Sequence, residues 1–219
     1  MLKDHWHTES KAPSPVRLAL GGHGESRTRL SNGLDQFFSA IQGGSNLSIL
    51  DLAGASQANI SFITSLGHRI YSEDILYSLD DCFGVGSDSL RNQSDALRVA
   101  EFLEQTLDFP DAHFDGALIW DTLQFMTPAL LDQTVKRLSR ILRPSSCLLA
   151  FFNADERADS IPIHSYRILD AKTLALVPRG QRAPAQFFNN RSLEKLFQNF
   201  NTVKFFLTRD HLREVIVKR

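Results

Sequence analysis

The succession of apolar and polar positions divides the chain into alternating strand-like and helix-like segments. Residues 47–52 read Leu-Ser-Ile-Leu-Asp-Leu, an apolar run carrying the carboxylate of Asp51 near its end, and the small residues Ala53, Gly54, Ala55 and Ser56 follow at once. Such a run reads as a buried parallel strand entering a tight turn. Ile60, Ile63 and Leu66 then recur at helical spacing. Strand, small-residue turn and helix form the first half of a nucleotide-binding βαβ unit, in which ligand groups approach the backbone and the free N–H groups of the helix N-terminus.

Ahead of this unit, Leu30, Leu34, Phe37, Phe38 and Ile41 predict an amphipathic helix over residues 29–41, stopped by Gly43 and Gly44. Behind it, Gly67 ends the helix and residues 68–72 form a second short strand running into Glu73 and Asp74. Those acids stand 22 and 23 residues beyond Asp51. Nucleoside-binding folds place a carboxylate on the ribose hydroxyls at a spacing of ~20. Leu97, Val99, Ala100, Phe102 and Leu103 predict a helix over residues 94–106, and a third strand is expected at residues 106–109. Residues 114–121, apolar between Asp115 and Asp121, read as a central strand.

Thr127 and Pro128 open the next helix as cap and first helical residue, with Leu130, Leu131, Val135, Leu138, Ile141 and Leu142 on its buried face. Residues 147–152 give another apolar strand, whereas residues 166–188, broken by Pro178, Gly180 and Pro184, read as a flap or irregular hairpin. A helix capped by Asn190 or Ser192 presents Leu193, Leu196, Phe197 and Phe200. Two β-rich runs at residues 202–208 and 211–218, joined by Arg209 and Asp210, close the chain as an antiparallel hairpin.

A chain of 219 residues can bury one substantial core. Its 24 Lys and Arg against 25 Asp and Glu leave a net charge of −1, with no basic excess to suggest nucleic acid. Cys82 and Cys147 read as structural thiols in a reducing compartment. No apolar run approaches the ~20 residues of a membrane span, and residues 1–25 lack the apolar core of a signal peptide, so a soluble cytoplasmic protein is expected. Residues 1–28, with two prolines and three glycines among scattered charges, form a flexible N-terminal tail or lid ahead of a domain at residues 29–219. His5 and His7 fall short of the ligand count of a metal site, and no metal is expected. Arg179, Arg182 and Arg191 near the flap read as surface arginines.

Three stretches carry a family likeness. Ile49-Leu50-Asp51-Leu52-Ala53-Gly54-Ala55 resembles the first motif of the class I S-adenosylmethionine-dependent methyltransferases. Asp108-Phe109-Pro110-Asp111-Ala112-His113-Phe114-Asp115 is similar to the family's stretch before its fourth strand, and residues 138–146 are similar to its helix end before the fifth. The resemblance implies an α/β, Rossmann-like, doubly wound and mostly parallel seven-stranded sheet ending in an antiparallel hairpin. It also implies S-adenosylmethionine as cofactor, S-adenosylhomocysteine as product and methyl transfer to a small-molecule acceptor. On the matching positions, Asp51 closes the first strand and Ala53, Gly54 and Ala55 face the methionine part of the cofactor. Glu73, with Asp74 as second choice, binds the ribose; Asp108 and Phe109 flank the adenine; Trp120 and Asp121 lie beside the methyl group. No catalytic residue stands out, and the chemistry demands little acid or base because the sulfonium is already activated. Ala53 and Gln57 replace expected glycines, and Ser145 and Ser146 replace the usual glycine pair. These departures motivate an alternative, a non-catalytic domain of the same fold acting as an interaction or assembly module.

Overall fold

The computed structural model describes residues 26–86, 88–208 and 211–219. In chain order its elements are β1 (Arg27–Leu30), α1 (Asn32–Ile41), β2 (Ser48–Asp51), α2 (Gln57–Ser65), β3 (Arg69–Ser72), α3 (Ile75–Phe83), α4 (Ser89–Asn92), α5 (Ala96–Leu107) and β4 (Phe114–Trp120). A short 3₁₀ turn at Thr122–Phe125 leads to α6 (Pro128–Ile141), β5 (Leu142–Asn153), β6 (Ile161–Asp170), β7 (Thr173–Arg182), α7 (Asn190–Leu196), β8 (Thr202–Leu207) and β9 (Leu212–Lys218). The central sheet has six strands in the order β3-β2-β4-β5-β9-β8. Its first four are mutually parallel, and β9 runs antiparallel to both β5 and β8. A separate antiparallel sheet, β1-β7-β6, stands beside it.

Strand residues alternate between two apolar cores, as the two-residue period of a sheet covered on both faces requires. Leu50, Ala117, Ile119, Leu148 and Ala150 pack with α3, α5, α6 and α7. Ile49, Leu118, Leu149 and Phe151 pack with α1, α2 and the small sheet. Gly116 lets α1 lie close against β4, since a Cβ there would stand 2.8 Å from the Phe37 ring. No helix among the described residues is long and apolar enough to cross a membrane.

Five expectations change. The central sheet has six strands in place of seven, because residues 106–107 end α5 and do not begin a strand. Thr106 turns its hydroxyl back to the Phe102 carbonyl at 2.6 Å, and Val99, Phe102, Thr106 and Leu107 bury one helical face. The helix expected from residue 29 starts at Asn32, since Arg29 and Leu30 belong to β1 and Leu30 is 71% exposed. The flap at residues 166–188 is a regular antiparallel pairing of β6 with β7, with a register shift between Ile163 and His164 near Gly180. The boundary at residue 28 therefore cuts through β1. The tail up to residue 25, with His5 and His7, and the hairpin junction Arg209-Asp210 lie outside the described residues. Helix α7 takes its cap from Asn189 in a capping box with Ser192, one residue earlier than the expected Asn190. Ser145 sits at φ +68 and its N–H bonds the Arg219 carbonyl at 2.8 Å. A left-handed serine costs about 1 kcal/mol, which the strand pairing around it absorbs.

The small sheet is fastened to the large one by a buried ion pair. Glu214 of β9 is fully buried and receives Arg29 of β1, the Ser31 hydroxyl at 3.0 Å and the Gly33 N–H at 2.6 Å. Removing one member of such a pair strands the other charge in the interior. We expect Arg29→Met to lower unfolding free energy by about 3 kcal/mol in urea titration, and Glu214→Gln to cost less because Ser31 and Gly33 still have an acceptor. A loss below about 1 kcal/mol for Arg29→Met would show that the pair does not fasten β1.

Candidate active site

The parallel strands β2, β3 and β4 end at one edge, and their terminal residues build the site. Asp51, last in β2, is fully buried and accepts the Trp120 indole N–H at 2.6 Å, the Asn59 side-chain amide at 2.9 Å and the Ala53 N–H at 3.2 Å. Burial raises its pKa, and these donors pull it back, Asn59 first. Asn59, on the first turns of α2, also donates to the Tyr166 carbonyl at 3.1 Å and accepts from the Ile168 N–H at 2.8 Å. One carboxylate and one amide thus join β2, α2, β4 and β6.

The turn after β2 keeps its glycine where the backbone requires it. Gly54 has φ +84, and a Cβ there would stand 3.1 Å from the Asp74 carboxylate, whereas Ala53 and Ala55 are absent from the positive-φ residues. The Gly54 N–H bonds the Glu73 carbonyl at 3.1 Å, and Ala53 bridges to Asp74. Gln57, the other departure, sends its amide along the helix surface to the Ser61 hydroxyl at 3.0 Å, away from the turn. The glycine-poor turn is therefore unstrained at Ala53 and unobstructed by Gln57.

Glu73 and Asp74 have different surroundings. Asp74 caps α3 by accepting the Tyr77 N–H at 3.1 Å and pairs with Arg179 of β7 at 3.2 Å. Glu73 is half-buried, its pKa is raised by burial, and among the described residues its carboxylate has no hydrogen-bond partner. Arg182 of β7 pairs with Asp80 of α3 at 2.8 Å and lies over the Phe125 ring. The two arginines read as surface residues in sequence in fact hold the β6-β7 hairpin across this edge.

Trp120 ends β4 at φ +57, an unusual conformation for a bulky residue. Its fully buried indole turns toward Asp51 and stacks on Tyr166 with ring centroids 4.8 Å apart, so it belongs to the support of the edge and not to its surface. Asp121, the next residue, is 3% exposed, and burial raises its pKa from 3.8 to about 7 against the pull of the Tyr166 hydroxyl and the Arg179 charge. It lines a cavity of about 270 Å³ between the ends of β4 and β5 and the β6-β7 hairpin, together with Gln124, Asn153, His164 and Tyr166.

Asp108 and Phe109 do not come to this edge. Asp108 is exposed and bridges to Arg137 at 3.5 Å, and Phe109 packs on Tyr71, His113 and Phe114, where β4 begins. Backbone bonds from Ala112 and His113 to Arg140 and Ile141 fix that segment at the opposite end of the strands. The motif resemblance thus marks the entry to β4.

No family model matches the chain. A 105-residue segment is 31% identical to the ubiquinone/menaquinone biosynthesis C-methyltransferase UbiE of Nitrosospira multiformis, covering 46% of this chain and 41% of that protein. The chain therefore spans about two fifths of the length of the curated relative it matches. Among solved structures, an S-adenosylmethionine-dependent methyltransferase from Archaeoglobus fulgidus superposes with a TM-score of 0.51 at 12% identity, over 85% of this chain and 91% of that one. The chain has the class I methyltransferase fold. A methyltransferase of Burkholderia thailandensis, solved with 1,6-didemethyltoxoflavin and S-adenosylhomocysteine, gives a TM-score of 0.48 at 17% identity, over 85% and 76% of the two chains. Within this methyltransferase fold, the sequence reading missed Asn59, Tyr166, Gln124 and Asn153. Only the placement of Asn59 on the buried face of α2, one turn from Asp51, was available as a signal, since the others depend on long-range pairing.

The Asp121 pKa has a consequence for stability. Between the unfolded value near 3.8 and the folded value of about 7, the native state holds a proton that the unfolded state has released, so stability falls as pH rises through that window and is level above it. Asp121→Asn removes this dependence. We expect the variant to match wild type at pH 4 and to exceed it at pH 8 by on the order of 4 kcal/mol at most in denaturant titrations. Equal stability at both pH values would contradict a neutralised Asp121.

Proposed function

We propose that the chain transfers the methyl group of S-adenosylmethionine to a small-molecule acceptor at the edge formed by β2, β3 and β4. The observation that carries this reading is the half-buried Glu73 carboxylate, without a hydrogen-bond partner among the described residues, beside a turn whose left-handed position is glycine. A carboxylate can accept both ribose hydroxyls at once. The N–H groups that open α2, at Gln57 and Ala58, have no earlier helical carbonyl to bond and suit the carboxylate of the methionine part. Open α/β sheets hold ligands at the carboxyl ends of their strands, which is where these groups stand. The likeness to the Nitrosospira enzyme and to the Archaeoglobus fold supports the same reading.

Each group has a limited task. Glu73 binds and orients the nucleoside; Gly54 allows the close backbone approach; Asp51 and Trp120 hold the turn and the end of β4 in register. The cofactor supplies an activated methyl group when bound, so orientation of the acceptor accounts for most of the protein's contribution. The β6-β7 hairpin is held beside that region by Arg179 and Arg182, which pair with Asp74 and Asp80. The replaced glycines give the non-catalytic alternative little support, because neither Ala53 nor Gln57 obstructs the turn.

Isothermal titration with S-adenosylhomocysteine tests the reading. Wild type should bind, and Glu73→Ala should weaken binding at least tenfold while Asp108→Ala leaves it within twofold. Absence of binding by wild type at millimolar ligand would overturn the assignment, and an unchanged affinity of Glu73→Ala would remove the ribose contact from this residue.

A further inference from the structure

Another cavity lies at the far end of the sheet from Glu73, where β2 and β3 begin. Its volume is about 330 Å³, within the ~300–1,000 Å³ of small-molecule sites. His68 in its wall stands just ahead of β3, so ~16 Å of extended chain separates it from Glu73. The wall is more apolar than polar, and its middle is the edge-to-face pair of Phe38 and Phe62, with ring centroids 5.1 Å apart. Asp35, Phe38 and Gln42 follow one face of α1, which puts the Asp35 carboxylate at one end of the cavity and the end of the helix ~10 Å away at the other.

At that second end α1 and α2 both stop, with Gln42 and Leu66 as their caps. Neither helix has a basic residue in its last turn, so the negative ends of two helix dipoles meet the cavity without a cation. The last carbonyls of a helix lack intrahelical partners, and in α1 the Ile41 carbonyl is met by the Gly44 N–H at 3.2 Å. His68 is 7% exposed, and its buried Nδ1 has no hydrogen-bond partner among the described residues. A neutral imidazole carries one N–H and one lone pair, and the lone pair costs less to bury unpaired, so Nδ1 is an acceptor. Among the described residues that line the cavity none is Lys or Arg; Arg69 and Lys172 follow the lining residues His68 and Ala171 without lining it themselves.

We propose that this cavity binds a linear aliphatic diamine as its dication, with one ammonium on the Asp35 carboxylate and the other at the joined ends of α1 and α2 beside His68. The inference is independent of the methyl-transfer reading. An anion would meet a carboxylate and two negative helix ends, and a neutral apolar compound would leave the acceptors unsatisfied. A single cation would serve one end only. Each ammonium brings three donors, which suit a carboxylate at one end and helix carbonyls with an imidazole lone pair at the other. The methylene chain between them packs on Phe38, Phe62 and Leu66, and aromatic faces attract a cation that passes within ~6 Å.

Hexamethylenediamine is the probe, and hexylamine, with the same chain and one ammonium, is its control. Titration calorimetry on the full chain at pH 8 should give at least fivefold tighter binding of the diamine than of hexylamine. Asp35→Asn should bring the diamine down to the affinity of hexylamine and leave hexylamine within twofold. Leu66→Arg, at a position 45% exposed, sets a cation in the wall and should weaken both ligands at least tenfold. His68→Phe keeps a ring of similar size without the acceptor and should weaken both at least threefold. Absence of diamine binding by wild type at millimolar concentration overturns the proposal, as does binding that all three variants leave unchanged. Equal affinity of wild type for the two ligands, or an unchanged diamine affinity in Asp35→Asn, overturns the two-ended assignment.

Discussion

The fully buried carboxylate of Asp51 is the constraint on which the site depends. A buried carboxyl in an apolar sheet is tolerated only when its oxygens are hydrogen-bonded, and here Trp120, Asn59 and the Ala53 backbone donate to them. Each donor brings a different element to the same point. Trp120 accepts an unfavourable φ at the end of β4 to reach it, and Asn59 passes the connection on to two backbone groups of β6. Local strain of about 1–3 kcal/mol at such a residue persists only where surrounding contacts fix it. The end of β4, the turn after β2 and the covering hairpin are therefore positioned together, and Asp121 and Glu73 inherit their places from that arrangement.

A second consequence concerns the glycine-poor turn. Where the family motif has several glycines, this turn has one. Only Gly54 in this turn takes the left-handed conformation, and a Cβ there would stand a tight 3.1 Å from the Asp74 carboxylate. Small residues at 53 and 55 are compatible with a close approach, and Gln57 is turned away onto Ser61. The number of glycines is a poor guide to such a turn, and their conformational positions are a better one.

Much of the fold was legible because burial leaves a local trace. The apolar runs at β2, β4 and the second half of β5, the 3.6-residue pattern of α6 and, from residue 32 on, of α1, and the two closing runs of β8 and β9 appear in the sequence where the structure has these elements. Position 106 failed because four residues cannot distinguish a strand from the last turn of a helix whose burial continues through Thr106 and Leu107. The β6-β7 pairing was hidden by Pro178 and Gly180, residues that a strand tolerates at an irregularity such as the register shift there. At the site, strand-end acids could be read from spacing, but their division of labour could not. Asp74 is occupied by Tyr77 and Arg179, and Glu73 is not, a difference set by residues as distant as β7. Asp108 and Phe109 were misplaced for a related reason: a motif preserves order along the chain without stating which end of a strand it serves.

The most direct measurement is a crystal structure of the protein with S-adenosylhomocysteine. The account predicts the ribose hydroxyls on Glu73, the amino-acid end against the first N–H groups of α2 and the sulfur directed toward the cavity beside Asp121. Density for the ligand elsewhere on the molecule, or a ribose that leaves Glu73 without a contact, would contradict it.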